Sequence, residues 1–476
     1  MKKPRLSFAQ LWNMDFGFLG IQFGWGLQMA NMSYIYSLLG AKPDKIPILW
    51  LAAPFTGLFI QPIIGYMSDR TWCRLGRRRP FFLIGAVFGT LAIILMPHST
   101  ALWMAVILLW MMDLSVNISM EPFRALVADK VSDEQRNIGF AMQGFFVGLG
   151  AILGYTMPWI LQNIFGVAPP TGHEIGIPRI TKLSFLIGAG AYFIAVMWTI
   201  ISTKEYPPEN MAAFKKMKEK TKGLGRAFGE IFNSIRNMPK TMKELAWVQF
   251  FTWMGLFCMF MYFTVAIAKD VLYLPPETAS NYKTILQENQ EFGGLIFAVY
   301  PAVCFIFSLL LPRIAKKLTR KYTHMLFLSV GAAGLVSLIL FYNFSQGPVA
   351  PIVKFLLILP MIAIGLAWAS ILAMPYAILA GSLPEDKIGL YMGEFNFFIT
   401  LPQIVISLGF GWIMFHLLKD DPLKGVVCGG IFMAIGGLMM IRVKPVPAVT
   451  REARLIEEEP GDETWDSVPG PNQTEF

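Results

Sequence analysis

About twelve long apolar segments follow one another along this chain, at roughly 14–38, 46–68, 80–97, 101–128, 137–164, 183–203, 245–271, 292–312, 323–343, 352–381, 388–417 and 423–443. Each is long enough to cross a hydrocarbon core of ~30 Å. Backbone in such a medium must satisfy its own hydrogen bonds, so the segments read as helices and the chain as an all-α integral membrane protein. Composition agrees: of 476 residues 55% are hydrophobic and 15% charged, where a soluble protein carries about a quarter charged. The net charge of +9 would suit a polyanion, but the basic residues lie in a few short loops. They are topology signals, and no nucleic-acid partner is expected.

Those loops set the orientation. Lys2, Lys3 and Arg5, the cluster Arg70, Arg74, Arg77, Arg78 and Arg79, the Lys-rich centre, and Arg313, Lys316, Lys317, Arg320 and Lys321 all fall on one side. The positive-inside rule makes that side cytoplasmic and places both termini there, in a multi-pass protein of the cell membrane, the inner membrane in a bacterium. Asp15, with no small-residue cleavage site before a continuing span, argues against a cleaved signal peptide. Four units are expected: residues 1–203 with six spans, a basic linker over 204–244, residues 245–443 with six more, and an acidic tail over 444–476 expected to be disordered.

Several chemistries lack their residues. Cys73, Cys258, Cys304 and Cys428 have no ligand spacing, and His98, His173, His324 and His416 form no HExxH-like cluster. Neither a metal nor a nucleotide site is expected, since a phosphate-binding GxxxxGK[ST] loop is missing too. An embedded enzyme and an ATP-driven pump are therefore poor readings.

The fourth span, LWMAVILLWMMDLSVNISMEPFRALVAD, is the anomaly. Asp113, Asn117 and Arg124 fall within roughly 40° of one line down a helix face. Asp113 lies ~18 Å from the helix start, near the bilayer middle. An ionisable group at that depth faces a bundle interior or a water-filled cavity and marks a pathway or relay. Arg124 is a further ~16 Å along a straight helix, too far for a direct pair with Asp113. It is expected to meet Glu121, Asp129 or a neighbouring helix, or to snorkel, beside a kink at Pro122. Asp113, Glu121 and Arg124 are the proton-coupling candidates.

A site for a small polar solute needs amides or acids, and aromatic faces where the solute has an apolar side, from helices meeting at mid-depth. The first span offers Gln22, Trp25 and Gln28, the second Gln61, the fourth Asn117. In the eleventh, Asn396, Thr400 and Gln403 form one polar stripe at offsets of four and seven, preceded by Glu394. The same residues could instead join helices, and Trp25 could be core rather than platform.

The loop GYMSDRTWCRLGRRRP, Gly65 to Pro80, suits a gate. Asp69 can pair with an arginine or a helix N-terminus in one state and release it in another, with Gly65, Arg70, Gly76, Arg77 and Arg78 as the other gating candidates. The corresponding loop of the second half, LPRIAKKLTRKY, keeps only the basic residues. This loop and the two sets of six spans resemble the major facilitator superfamily, which implies two six-helix bundles. IQFGWGLQ, WLAAPFTGLFIQPIIGYMSDR, GRRRPFFLIGA, the fourth span, GLAWASILAMPYAILA and GEFNFFITLPQIVIS are similar to the sucrose-transporter family and its bacterial relatives in the glycoside-pentoside-hexuronide group. That resemblance implies uptake of a disaccharide or related glycoside such as maltose or sucrose by proton symport, with Asp113 as the proton carrier. It departs from plant members after the seventh span, where TVAIAKDVLYLPPETASNYKT retains only Asp270 of a charged signature, and at Glu121 and Glu394, which are acidic here. An extra acid can carry a proton, help hold sodium or pair with Arg124. Sodium coupling, or a non-sugar solute or lipid on the same fold, are the alternatives. The expected partners are a small sugar and the bilayer, the working unit is a monomer, and no cofactor beyond the coupling ion, H+ first, is expected.

Overall fold

The computed structural model describes residues 4–131, 135–168, 176–207, 211, 214, 238–346, 351–380 and 395–444. The eleventh span is described from residue 395 on, so the expected start at 388 lies outside. So do Glu394, His173, most of the 204–244 linker and nearly all of the tail.

Twelve membrane-length helices are found among these residues: α1 (Gly17–Leu38), α2 (Ile46–Asp69), α3 (Arg79–His98), α4 (Leu102–Lys130), α5 (Arg136–Asn163), α6 (Arg179–Ser202), α7 (Lys240–Val271), α8 (Tyr282–Ser308), α9 (Leu311–Tyr342), α10 (Ile352–Leu379), α11 (Phe397–His416) and α12 (Pro422–Arg442). Eleven of them are apolar enough to cross a membrane on composition alone. The exception is α1, whose Gln22, Gln28 and Asn31 lower its hydropathy while nearly every residue is buried. It is an inner helix surrounded by protein. A short helix, Phe8–Asp15, leads into it; its first turn is closed by a capping box in which Ser7 Oγ accepts from Gln10 N and Gln10 Oε1 accepts from Ser7 N.

The packing is repeated. In the first half the main contacts are α1 with α5 and α6, α3 with α4 and α6, and α2 with α4; in the second they are α7 with α11 and α12, α9 with α10 and α12, and α8 with α10. Raising each index by six turns one set into the other. Across the halves α1 meets α7 and α8, α5 meets α8, and α2 meets α11. Small residues allow the closest approaches. A Cβ at Gly154 of α5 would fall 2.5 Å from the Phe23 carbonyl of α1, and one at Gly429 of α12 would fall 2.7 Å from the Gly255 carbonyl of α7.

Two boundaries differ from the expectation for physical reasons. α8 begins at Tyr282 rather than near 292, because its first turns carry Gln287, Asn289, Gln290 and Glu291, all buried against other helices. α9 starts on the arginine-loop side at 311 instead of 323, but its first turns are a separate piece: Thr319 has φ 67°, ψ 155°, a strained break for a β-branched residue. Residues 311–318 lay Ile314 and Ala315 on the core and keep Arg313, Lys316 and Lys317 exposed, as suits a segment at the membrane surface.

Candidate functional site

At mid-depth the polar residues of the first half form one ladder. Gln28 Nε2 of α1 donates to Asp113 Oδ1 of α4 over 2.8 Å, and Asp113 is 3% exposed. One turn on, Asn117 Nδ2 donates to Thr56 Oγ1 of α2 over 2.9 Å and to the Asp113 carbonyl, while its Oδ1 accepts from Gln61 Nε2 at 2.5 Å. Spacing of four on α4 thus aims one residue at α1 and the next at α2. Among the described residues, Asp113 Oδ2 and Gln28 Oε1 have no hydrogen-bond partner. A carboxylic acid and a primary amide can make two reciprocal hydrogen bonds, and here one is made while both atoms needed for the other stand unused. A proton on Asp113 supplies the missing donor. Arg124 is absent from this ladder: its Nη1 lies 3.9 Å from Glu121 Oε2, both side chains more than a third exposed, a pair of little energetic weight.

Aromatic rings continue the site into the second half. Trp25 of α1 stands edge-on to Phe260 of α7 at 6.2 Å and near Tyr155 of α5; Trp368 of α10 contacts Trp253, Phe260 and Tyr300 at 5.5 to 5.8 Å. Trp253 Nε1 is buried without a partner, so this wall offers both π faces and a donor. Trp25 is partly buried and packs against the core. Gln22 faces α5, where a Cβ at Gly150 would fall 3.0 Å from its Cβ, which favours packing. Thr400 Oγ1 donates back to the Asn396 carbonyl over 3.2 Å with its methyl towards Gly57 of α2, and Asn396 and Gln403 are half-buried.

The arginine loop is a different kind of site. Arg78, 4% exposed, donates through Nη2 to Asp69 Oδ1 (2.6 Å), through Nε to Asp129 Oδ2 (3.0 Å) and through Nη1 to Ser68 Oγ (2.5 Å). Arg77 donates to the Asp69 carbonyl. Asp69 therefore pairs with an arginine of its own half, and Asp129 joins Arg78 rather than Arg124. Arg70 closes α2, its N–H donating to the Met67 carbonyl. Gly76, at φ 110°, needs glycine on conformational grounds. Gly65 does not face a tight contact: a Cβ there would lie 3.6 Å from Glu121 Cγ, ordinary van der Waals range.

Sequence reasoning missed Glu205. Its carboxylate accepts the backbone N–H groups of Arg77, Arg78 and Arg79 at 2.8 to 3.0 Å, covering the free N-terminus of α3. Lys130 Nζ donates to the neighbouring Lys204 carbonyl and sits 4.0 Å over the Tyr206 ring. The start of the linker is thus fastened to the arginine loop, and only a fold can place residue 205 beside residue 77.

On the opposite face the bonds run between halves. Tyr262 Oη of α7 donates to the Pro43 carbonyl and Gln290 Nε2 of α8 to the Ala30 carbonyl of α1, while deeper in the same seam, at the aromatic wall, the hydroxyls of Tyr155 and Tyr300 meet at 2.9 Å. Trp50 packs edge-on to Phe257. The two halves are in contact across this face. Asp270, the one acid retained after the seventh span, accepts from Leu423 N at the start of α12, a structural cap.

The twelve helices, the six-shifted repeat of their packing and the arginine loop agree with a match of residues 14–407 to the family model described as Major Facilitator Superfamily. The chain belongs to the Major Facilitator Superfamily. It is a multi-pass membrane transporter, not an enzyme. Among curated relatives, it is 26% identical over 460 residues to Sucrose transport protein SUC4 of Arabidopsis thaliana, covering 90% of this chain and 88% of that one. It is 27% identical over 321 residues to the General alpha-glucoside permease of Schizosaccharomyces pombe, covering 62% and 55%. Among superfamily folds, the crystal structure of nucleoside transporter NupG aligns at TM-score 0.65 and 13% identity, covering 92% of this chain and 99% of that one. The peptide transporter POT in complex with sulfate aligns at 0.64 and 13%, covering 93% and 96%. These two likenesses concern the fold alone.

Proposed function

We propose that this chain imports a disaccharide or related glycoside, maltose- or sucrose-like, by proton symport with alternating access. The observation that carries the reading is the half-made acid–amide pair of Asp113 and Gln28, buried at mid-depth beside the Asn117, Gln61 and Thr56 ladder. Relatives named as sucrose transport proteins and an alpha-glucoside permease support a sugar as solute. The Trp25, Trp253 and Trp368 wall is suited to the apolar face of a pyranose, and the amides of the ladder to its hydroxyls. Residues 1–203 and 245–443 act as the two moving bodies, joined by 204–244 and followed by the 444–476 tail, in a chain that works as a monomer.

In this reading the arginine-loop face is cytoplasmic, with both termini there, and the conformation described is closed towards the outside. Asp113 takes a proton with sugar and gives it up when the site opens inward, where water restores the charge. Glu121 and Arg124 lie on the exit side, where they form a hydrated acid–base pair on the route to the cytoplasm.

The test is uptake of labelled maltose and sucrose by the purified full-length chain in liposomes. Accumulation driven by an inward proton gradient is the expected result. Accumulation that responds only to sodium moves the reading to sodium coupling, and uptake of neither these nor other glycosides overturns the sugar assignment.

A further inference from the structure

Resting on the transport reading, the closed face contains a second acid that the midplane ladder does not use. Glu291 of α8 is 4% exposed. Gln287 Nε2, one turn before it, donates to Oε1 at 2.9 Å. From the other half, Gln162 of α5 brings one atom of its amide to 3.0 Å from Oε1 and 2.5 Å from Oε2, a nitrogen that donates to an ionised acid or, with the amide turned over, an oxygen that accepts a protonated acid's O–H. Next to it, Gln290 holds the Ala30 carbonyl of α1 across the same seam. The carboxyl is thus clasped by an amide of its own helix and an amide of the opposite half.

We infer that Glu291 is a second proton-binding site, a latch that holds the outward face shut when protonated and opens it when ionised. The groups around it set the sign. Tyr34 comes from α1, Gln162 from α5, and Gln287 and Glu288 from α8 itself. Lys354 of α10 stands 5.4 Å over the ring of the adjacent Phe292. Lys269 and Asp270 at the end of α7 engage Glu277, Asp421 and Lys424 instead. Closure therefore removes Glu291 from water with amides, a phenol and a like charge around it, and no ion pair to it exists among the described residues. An uncompensated charge in such a place is strongly unfavourable, whereas a neutral carboxyl accepts from Gln287 Nε2 and donates its O–H to the Gln162 amide oxygen once that amide turns over. Opening draws Gln162 away with its half and exposes the acid to outside water, so closure takes up one proton.

A second pair of acids on the same rim must be separated from it. Asp44 of the α1–α2 loop and Asp420 of the α11–α12 loop approach each other across the halves, and burial together with the Asp44 charge pushes the Asp420 carboxyl up. Lys42 and Lys45 oppose that effect.

The experiment is spin-label distance measurement between Asn163→Cys and Ser280→Cys, both exposed on this face in opposite halves, in the full-length chain with Cys73→Ser and Cys428→Ser, without sugar. From about pH 8 to about pH 5 the closed-to-open ratio should rise by up to about tenfold per pH unit, the limit for one linked proton. Glu291→Gln should be closed at both ends with the pH response lost. Gln162→Leu should retain the response with a smaller closed fraction, which keeps the test decisive if Glu291→Gln fails to fold. A Glu291→Gln chain that follows pH like the parent, or an Asp420→Asn chain that loses the response while Glu291→Gln keeps it, overturns the inference. Because no sugar is present, the failure of the latch and the failure of the sugar assignment are separate results.

Discussion

The two faces of the molecule are held together by different chemistry. At the arginine loop, charges bind one half to itself: Arg78 gathers Asp69, Asp129 and Ser68, and Glu205 caps the start of α3. On the opposite face and deeper in the same seam neutral groups bind one half to the other, through Tyr262 with Pro43, Gln290 with Ala30 and, deeper, Tyr155 with Tyr300. The difference separates stability from switching. Charge-assisted bonds within a half are strong and keep their register while the halves move. Neutral bonds across the seam are each worth about 1 kcal/mol net, small enough to be exchanged in each cycle of the proposed alternating access.

That contrast can be broken most severely at Arg78. Arg78→Met strands two carboxylates and a serine; because Asp69 and Asp129 are half-exposed, the loss is about 2 kcal/mol rather than the larger cost of a fully buried pair. Thermal unfolding in detergent should show a clearly lowered midpoint, and an unchanged midpoint would deny the network its structural role. Glu205→Ala comes next, at about 1–2 kcal/mol, as expected for removing a carboxylate from a helix N-terminus. Its effect should appear in the same melt and should exceed that of Glu205→Gln. Tyr155→Phe leaves folding alone but removes one bond across the seam, shifting the closed-to-open ratio about fivefold towards open. Spin-label distances on that face measure this, and a shift in the melt instead of the ratio would blur the distinction. Arg124→Gln is the smallest, under about 0.5 kcal/mol, because its pair with Glu121 is long and hydrated.

The spans, their orientation signals and the arginine loop were legible in the sequence because each is local: hydropathy, charge and spacing lie within one segment. Asp113 and Asn117 were legible for the same reason, since polar residues on one face of an apolar helix announce a partner. Their partners were only half legible; Gln28 and Gln61 stood out as amides, but which acid or amide each would meet depends on how α1 and α2 pack on α4. Glu205 was hidden in a segment that reads as a basic linker, and it acts on backbone N–H groups more than a hundred residues away. Glu291 was hidden because the first turns of α8 are polar and read as a loop, although they are buried between the halves. Polar surface that faces protein instead of water is the feature that hydropathy misreads, in α8 and in α1 alike.

The central claim is that Asp113 carries a proton in step with the sugar. It is tested most directly by a pH-sensitive dye inside liposomes holding the purified chain, with maltose or sucrose added outside and no other gradient. The account predicts that sugar entry acidifies the lumen, and that Asp113→Asn abolishes the acidification and concentrative uptake while sugar exchange across the membrane continues. Sugar entry with no acidification by the parent chain, or acidification undiminished in Asp113→Asn, would contradict it.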